Sequence, residues 1–364
     1  MVFIKRRLEY IWIDGNGSGR TRSKTKVETI DMINNDNIDP KFFSDWNYDG
    51  SSCNQADTKN SEILMKPVFI CPDPLNDPSK DKLVFCASYK YENMEGDKII
   101  PAKNNYYDFA KEIFDKSFSI EPWFGIEQEY FLIDKSKYKE DFNYNGIKKK
   151  EDKPEFKTVL EYQGNYYCGV GYGSAIGRKV ANEHLNMCIK ANLEVSGMNG
   201  EVAPGQWEFQ IGIAHGIQAA HHLWVARYLL ERVAEKYNLK ADFTPTPIKE
   251  GSLWNGSGCH TNFSYKKMRT IKYEWKKTVE LLKDEHKLFM ENYGTNDERM
   301  TGYNETSKID EFNYGVGDRT CSIRIPRETF INKIGYIEDR RPSSDMNPYL
   351  VTGLLTRIII DNQN

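Results

Sequence analysis

The sequence predicts an α+β protein, with a small β-rich domain at the N-terminus and a larger domain after it. Three observations carry this. Up to residue 102 the apolar segments are short and separated by turn-forming residues, as strands are. After Pro101 a helical spacing of apolar residues appears, and from there strands and helices alternate. The 364 residues also suit two domains of about 150 residues or a little more. The boundary is drawn accordingly, as 1–102 and 103–364.

Leu8 to Ile13 (LEYIWI) reads as a strand ending in the turn DGNGSG. Pro67 to Ile70 and Lys82 to Ala87 read as further short strands, and Cys71 to Lys80, with three prolines, as loop. Tyr107, Ala110, Ile113 and Phe114 share one face of a helix. Phe124 to Ile133 is a strand, and residues 134 to about 160, polar and lysine-rich, read as an exposed insertion. Ile176 to about Val195 is an amphipathic helix and Trp207 to Ile213 a strand. Gly216 to Tyr237 and Ile271 to Met290 are helices, Cys321 to Ile325 is a strand, and a helix closes the chain.

Composition excludes several classes. Lys plus Arg is 50 and Asp plus Glu is 53, a net charge of −3, which argues against a nucleic-acid partner. No apolar run approaches the roughly 20 residues of a bilayer span, so no membrane partner is expected. Met1 to Tyr10 has no signal-peptide core, and a cytoplasmic location is expected. The seven cysteines are scattered without a C-x-x-C, which fits a reducing compartment and gives no zinc signature. Gly169, Gly171 and Gly173, with Gly177 beyond, are not a spaced G-x-G-x-x-G, and no Walker lysine pair is present.

Acids inside apolar strands carry the chemistry. Glu127 and Glu129 in GIEQEYF point to one face at spacing i, i+2. Taken alone, they read as a solvent-facing edge strand. Glu201 and Glu208 flank and enter another apolar strand, and Glu338 and His260 are further candidates. Were five such carboxylates to converge, each pair about 5 Å apart would repel by roughly 3 kcal/mol at an effective dielectric near 20. Divalent cations would have to neutralise them, and oxygen donors with one imidazole suit Mg²⁺ or Mn²⁺. Arg299, Arg319, Arg324, Arg327, Arg340 and Arg341 form a second constellation, suited to phosphate and carboxylate oxygens or to surface ion pairs. Acids with arginines suggest metal-assisted phosphoryl transfer.

Ten segments in order then resemble one family: YIWIDGNGSG, WNYDGSS, PWFGIEQEY, YYCGVG, GEVAPGQWEFQIG, HHLWVARYLLERV, WNGSGCHTNFS, TGYNETS, SIRIPR and GYIEDRRPSSD. The chain resembles the eukaryotic-type (type II) glutamine synthetases over nearly its whole length. The resemblance implies an N-terminal β-grasp-like domain and a catalytic ATP- and glutamate-binding domain with a curved antiparallel sheet flanked by helices. It implies ATP-dependent ligation of ammonia to the γ-carboxylate of glutamate through γ-glutamyl phosphate. Two or three Mg²⁺ or Mn²⁺ ions per site are implied, with ATP as substrate.

Residue by residue, the resemblance gives Glu129, Glu201 and Glu208 to one metal, and Glu127, His260 and Glu338 to a second. Arg299 matches the position that holds the glutamate carboxylate, with Gly256, His260 and Tyr167 beside it. Arg319, Arg324 and Arg340 match contacts to the transferred phosphate and ATP. Trp123, Ser264 and Tyr336 match ATP-side positions. Asp49 with Ser52 matches the ammonium site, and Glu305 the flap that shields the intermediate. The resemblance also implies a decamer of two five-membered rings, in which Asp49 serves the neighbouring subunit's site.

Several positions depart from the family pattern. Asp318 stands before Arg319 where asparagine is usual, GVGYGSAIGRK replaces a GVGADRAYGRD-like stretch, and the segment between Met290 and Arg299 is shorter. Two other readings stand beside the leading one: a ligase for another amine, and a non-catalytic structural or regulatory homologue. The second predicts lost acids or arginines, and none is lost.

Overall fold

The computed structural model describes residues 3–17, 19–32, 35–93, 96, 98–134, 166–171, 173–247, 255–302 and 307–362. Beyond Asp134, the expected lysine-rich insertion lies outside the described residues.

Six strands build the first sheet: β1 (Phe3–Ile13), β2 (Thr21–Asp31), β3 (Trp46–Asp49), β4 (Glu62–Pro72), β5 (Lys82–Tyr91) and β6 (Ile99–Pro101). Their order is β2-β1-β5-β4-β3, with β6 beside β5. The turn after Ile13 returns β2 antiparallel along all of β1, whereas β1 and β5 run parallel. Side chains alternate across this sheet. Leu8, Tyr10 and Trp12 enter a core with Tyr48, Val84 and Cys86 on one side. Ile11, Ile13, Leu83 and Phe85 join the main core on the other.

The second sheet comprises β7 (Trp123–Asp134), β8 (Val195–Gly200), β9 (Gln206–His215), β10 (Leu239–Asp242), β11 (Cys259–Ser264), β12 (Tyr314–Val316), β13 (Ile323–Ile325) and β14 (Ile337–Asp339). Its order is β12-β13-β14-β11-β7-β9-β8, with β10 beside the far end of β7. All pairings but β12–β13 are antiparallel. Helices flank the sheets: α1 (Tyr107–Asp115), α2 (Arg178–Lys190), α3 (Gln218–Glu235), α4 (Lys266–Thr270), α5 (Glu274–Asp284), α6 (His286–Asn292), α7 (Arg327–Asn332) and α8 (Pro348–Asp361). The main core lies around α3, whose apolar residues pack against both sheets and α8. The expected mixed α+β class, with antiparallel-rich sheets and flanking helices, is what the chain adopts. No helix among the described residues is long and apolar enough to cross a membrane.

The differences from expectation have local causes. Cys71 and Pro72 belong to β4, paired with Leu83 and Lys82, because the neighbouring strand holds them extended despite the prolines. β2 was not expected, since TRSKTKVETID has no apolar face and takes its form from pairing with β1. The helix expected over 176–195 stops at Lys190, where Asn192 turns left-handed at φ 58° and Val195 opens β8. The helix expected over 271–290 is two, α5 and α6, meeting at Glu285.

β14 shows how the alternation separates surface chemistry from core. Glu338 and Arg340 face the cavity described below, and Asp339 and Arg341 face inward, both at 0% exposure. Arg341 clasps Asp339 through Nε to Oδ1 at 2.9 Å and Nη2 to Oδ2 at 2.7 Å, among Phe289, Tyr293 and Phe312. Removing one partner leaves a buried charge unanswered, which costs about 3–5 kcal/mol. Asp339→Asn should therefore lower the unfolding free energy from a denaturant titration by about 3–5 kcal/mol. A variant as stable as the parent would show that the pair does not brace β14.

Candidate active site

One cavity of about 310 Å³ gathers most of the expected residues: Glu127, Glu129, Glu201, Glu208, His260, Glu338, Arg299, Arg319, Arg324, Arg340, Tyr167 and Gly256. Strand register brings them there. Glu129 lies opposite Glu208 across β7–β9, and Glu127 lies opposite His260 across β7–β11. Arg324 lies opposite Glu338 across β13–β14. Period two then places Glu127 with Glu129, and Glu338 with Arg340, on the same face. The even-numbered partner Gln128 turns inward instead, where Arg227 donates to its Oε1 at 2.7 Å.

Two triads result. The candidate ligand atoms of Glu129, Glu201 and Glu208 all lie within 4.8 Å of one another, and so do those of Glu127, His260 and Glu338. These are the two sets that the family resemblance implied. The first is wrapped in neutral donors. Glu129 Oε2 accepts from Gln206 Nε2 at 3.1 Å and from the Gly258 backbone N–H at 3.0 Å. In the second, Asn262 Nδ2 donates to Glu127 Oε1 at 2.7 Å, while Glu338 takes Arg340 Nη1 at 2.6 Å and Arg324 Nη1 at 2.9 Å. The Nε atoms of both arginines are buried and have no partner among the described residues.

His260 sits between groups of opposite sign. Its Nδ1 is 3.7 Å from Glu127 Oε2 and 3.8 Å from Glu338 Oε1, and its Nε2 is 3.2 Å from Arg299 Nη2. A guanidinium only donates, so with no cation bound Nε2 accepts and the neutral ring carries its proton on Nδ1, which holding a cation with Glu127 and Glu338 would require it to give up. Burial, then the charge of Arg340, holds the imidazole well below its ordinary pKa. Arg299 is pinned by the backbone oxygens of Arg340 at 2.9 Å and Arg341 at 3.1 Å. Burial lowers it only to about 10, so it stays cationic at neutral pH. The loop after Asn255 runs close against it: a Cβ on Gly256 would meet Arg299 Cγ at 3.0 Å, and one on Gly258 would meet His260 Nε2 at 2.6 Å.

The remaining expected residues lie apart from the cavity lining. Asp49 ends β3 on the first sheet, exposed, and accepts from Ser51 and Ser52 hydroxyls at 2.7 Å each, which lowers its carboxyl to about 2. Trp123 and Ser264 face each other across β7–β11, with the Arg269 guanidinium 3.8 Å from the Trp123 ring centroid and 3.0 Å from Ser264 Oγ. Tyr336 precedes β14 and is half-exposed. Glu305 lies outside the described residues. Asp318 spends one carboxylate oxygen on the Thr320 backbone N–H and hydroxyl, at 2.9 and 2.7 Å. Sequence reading missed the amides that line the cavity, Asn199, Gln206, Gln210 and Asn255. A signal existed: three of them stand two residues from Glu201 or Glu208, hence on the same strand face.

Burial raises the pKa of Glu129 to about 7 and, with the Glu129 charge, of Glu201 to about 8; Glu208 is pushed well up by burial and by Glu127. A carboxyl raised in the folded state contributes stability that is present below its unfolded pKa and lost as pH rises through the folded value. Without a cation the protein should therefore lose melting temperature as pH rises from about 4.5 to about 8. Glu201→Gln should flatten that slope, and millimolar Mg²⁺ should cancel it. A slope unchanged by both, in thermal unfolding with and without chelator, would refute this account.

The comparisons with known proteins agree with this geometry. The family model for the glutamine synthetase catalytic domain matches residues 110–281. The chain is 40% identical to the glutamine synthetase of Rattus norvegicus over 370 residues, covering 99% of this chain and 91% of that relative. It is 41% identical to that of Saccharomyces cerevisiae over 361 residues, with 97% and 90% covered. Against that of Neurospora crassa it is 40% identical over 351 residues, with 95% and 90% covered. Similarity of that degree over nearly the full length, on a sheet that turns two acidic triads into one cavity, makes this chain a member of the glutamine synthetase family.

Proposed function

We propose that the chain makes L-glutamine from L-glutamate, ammonium and ATP through γ-glutamyl phosphate. One observation carries the reading: two ligand triads share a cavity with Arg299, Arg319, Arg324 and Arg340. The donor set fits hard divalent ions. It offers five carboxylates and one imidazole, and the nearby Cys259 thiol is turned inward onto Gln128 Oε1 at 3.3 Å. Glu129, Glu201 and Glu208 would hold one Mg²⁺ or Mn²⁺, and Glu127, His260 and Glu338 another. When bound, such ions neutralise the carboxylates and polarise phosphoryl oxygens.

The chain's own residues would do the rest. Arg299 would anchor the glutamate carboxylate beside Gly256 and Tyr167. Arg319, Arg324 and Arg340, which line the cavity, would spread the charge of the transferred phosphoryl group. Trp123, Ser264 and Tyr336 would serve the ATP side. Glu305 would close over the acyl phosphate and keep water out. Asp49, with Ser52, would bind ammonium and take its proton. Its place on the 1–102 domain, away from the cavity lining, suits a site completed between neighbouring subunits of a ring.

Two measurements test this. Phosphate release from Mg·ATP and glutamate should depend on ammonium in the parent. It should fall at least about 100-fold in Glu338→Ala, which removes a carboxylate that would meet the metal. No ammonium-dependent release from folded, assembled protein would overturn the reading. Asp49→Ala and Glu338→Ala chains should each be inactive alone. Co-expressed, they should recover about a quarter of parental activity, because a quarter of randomly mixed interfaces pair two intact halves. No recovery from co-assembled chains would place the whole site within one subunit.

A further inference from the structure

We propose that Asn199 and Gln210 form an amide relay that sets the spacing of Glu201 and Glu208, making both positioning residues for the metal that this triad would hold. The proposal rests on the metal-dependent reading above and adds two residues that bind nothing directly.

The relay is continuous. Gln210 Nε2 donates to Glu208 Oε1 at 2.6 Å and to Asn199 Oδ1 at 3.2 Å, and Asn199 Nδ2 donates to Glu201 Oε1 at 2.8 Å. Its polarity is self-consistent. Carboxylates that hold a cation are ionised and only accept, so for that state Gln210 must turn its NH₂ toward Glu208 and Asn199 must turn its NH₂ toward Glu201. That leaves Asn199 Oδ1 free for the second N–H of Gln210. Flipping either amide would set oxygen against oxygen.

The backbone makes room for it. β8 and β9 place Gly197 opposite Gln210, and Asn199 opposite Glu208. At spacing two, residues 197, 199 and 201 share one side of their strand, and residues 208 and 210, paired opposite them, project from the same face of the sheet. A Cβ on Gly197 would come within 2.8 Å of Gln210 Oε1. Glycine there lets the amide lean over its own strand pair, and a side chain would push it off Glu208. The relay is also neutral, unlike the arginine contacts on Glu338. It orients two carboxylates without cancelling their charge, which is what a divalent ion needs from partners of its ligands.

Mn²⁺ binding to the full-length protein tests the relay, by isothermal titration in a Glu127→Gln background that leaves the first triad intact. Gln210→Leu and Asn199→Leu should each weaken Mn²⁺ binding by about 10–100-fold, the usual effect of losing a ligand's hydrogen-bond partner. The double variant should be no weaker than the worse single one, since the two act as a unit. Gly197→Ala, which removes no polar atom, should also weaken binding. Each metal-free variant should still unfold in one cooperative transition, so that the loss of affinity is read on folded protein. Should leucine disturb folding, Gln210→Met replaces it. Unchanged affinity in the Gln210 variants, or losses that multiply in the double variant, would overturn the relay and leave the metal-site reading standing. A Glu127→Gln parent that binds no Mn²⁺ would overturn both.

Discussion

Mutual repulsion among Glu127, Glu129, Glu201, Glu208 and Glu338 is the constraint around which this structure is organised. Each close pair opposes folding by roughly 3 kcal/mol at an effective dielectric near 20. Several pairs together rival the whole stability margin of a domain, about 5–15 kcal/mol. The fold answers in three ways. Burial raises the pKa values of Glu129, Glu201 and Glu208, which favours their uncharged forms wherever no cation answers them. Glu338 is answered directly by Arg324 and Arg340. Glu127 accepts from Asn262, and the triad acids from neighbouring amides.

These answers work only if the sheet is held rigidly from behind. The inward-facing residues of the same strands do this. Gln128, between two cavity carboxylates, accepts from Arg227 Nε, and Arg227 then reaches the backbone oxygens of Ser344 and Met346 at 3.0 and 2.9 Å. Asp339 and Arg341, alternating with Glu338 and Arg340, tie β14 to α6 through the aromatic residues around them. Two guanidinium groups at 0% exposure thus brace one face while carboxylates occupy the other. Strand periodicity lets four consecutive charged residues, EDRR, serve both purposes without mixing them.

Much of this was legible before the fold was known. The i, i+2 pair in GIEQEYF, the acids of GEVAPGQWEFQ and the arginines of SIRIPR and YIEDRR marked the chemistry, because charges inside apolar strands demand an explanation. Long elements with strong periodicity, β1, β7, α3 and α8, were legible for the same reason. β2 was not, since its residues are polar on both faces. Nor were β8, β10, β12 and β14, which are too short to show a period and exist because a neighbouring strand completes their hydrogen bonds.

What the sequence determined by itself was therefore residue type and local spacing: which strands carry paired acids, and which face they share. The family resemblance implied that Glu129 goes with Glu201 and Glu208, and Glu127 with His260 and Glu338, but only the tertiary structure gives the physical reason they meet. That partition depends on strand register between segments up to about two hundred residues apart, and a slip of one residue would turn a whole face inward. Local propensity carries no information about such pairings. They are set by hydrogen bonding across β7, β9, β11 and β14, and by the burial of the inward faces that those pairings make possible.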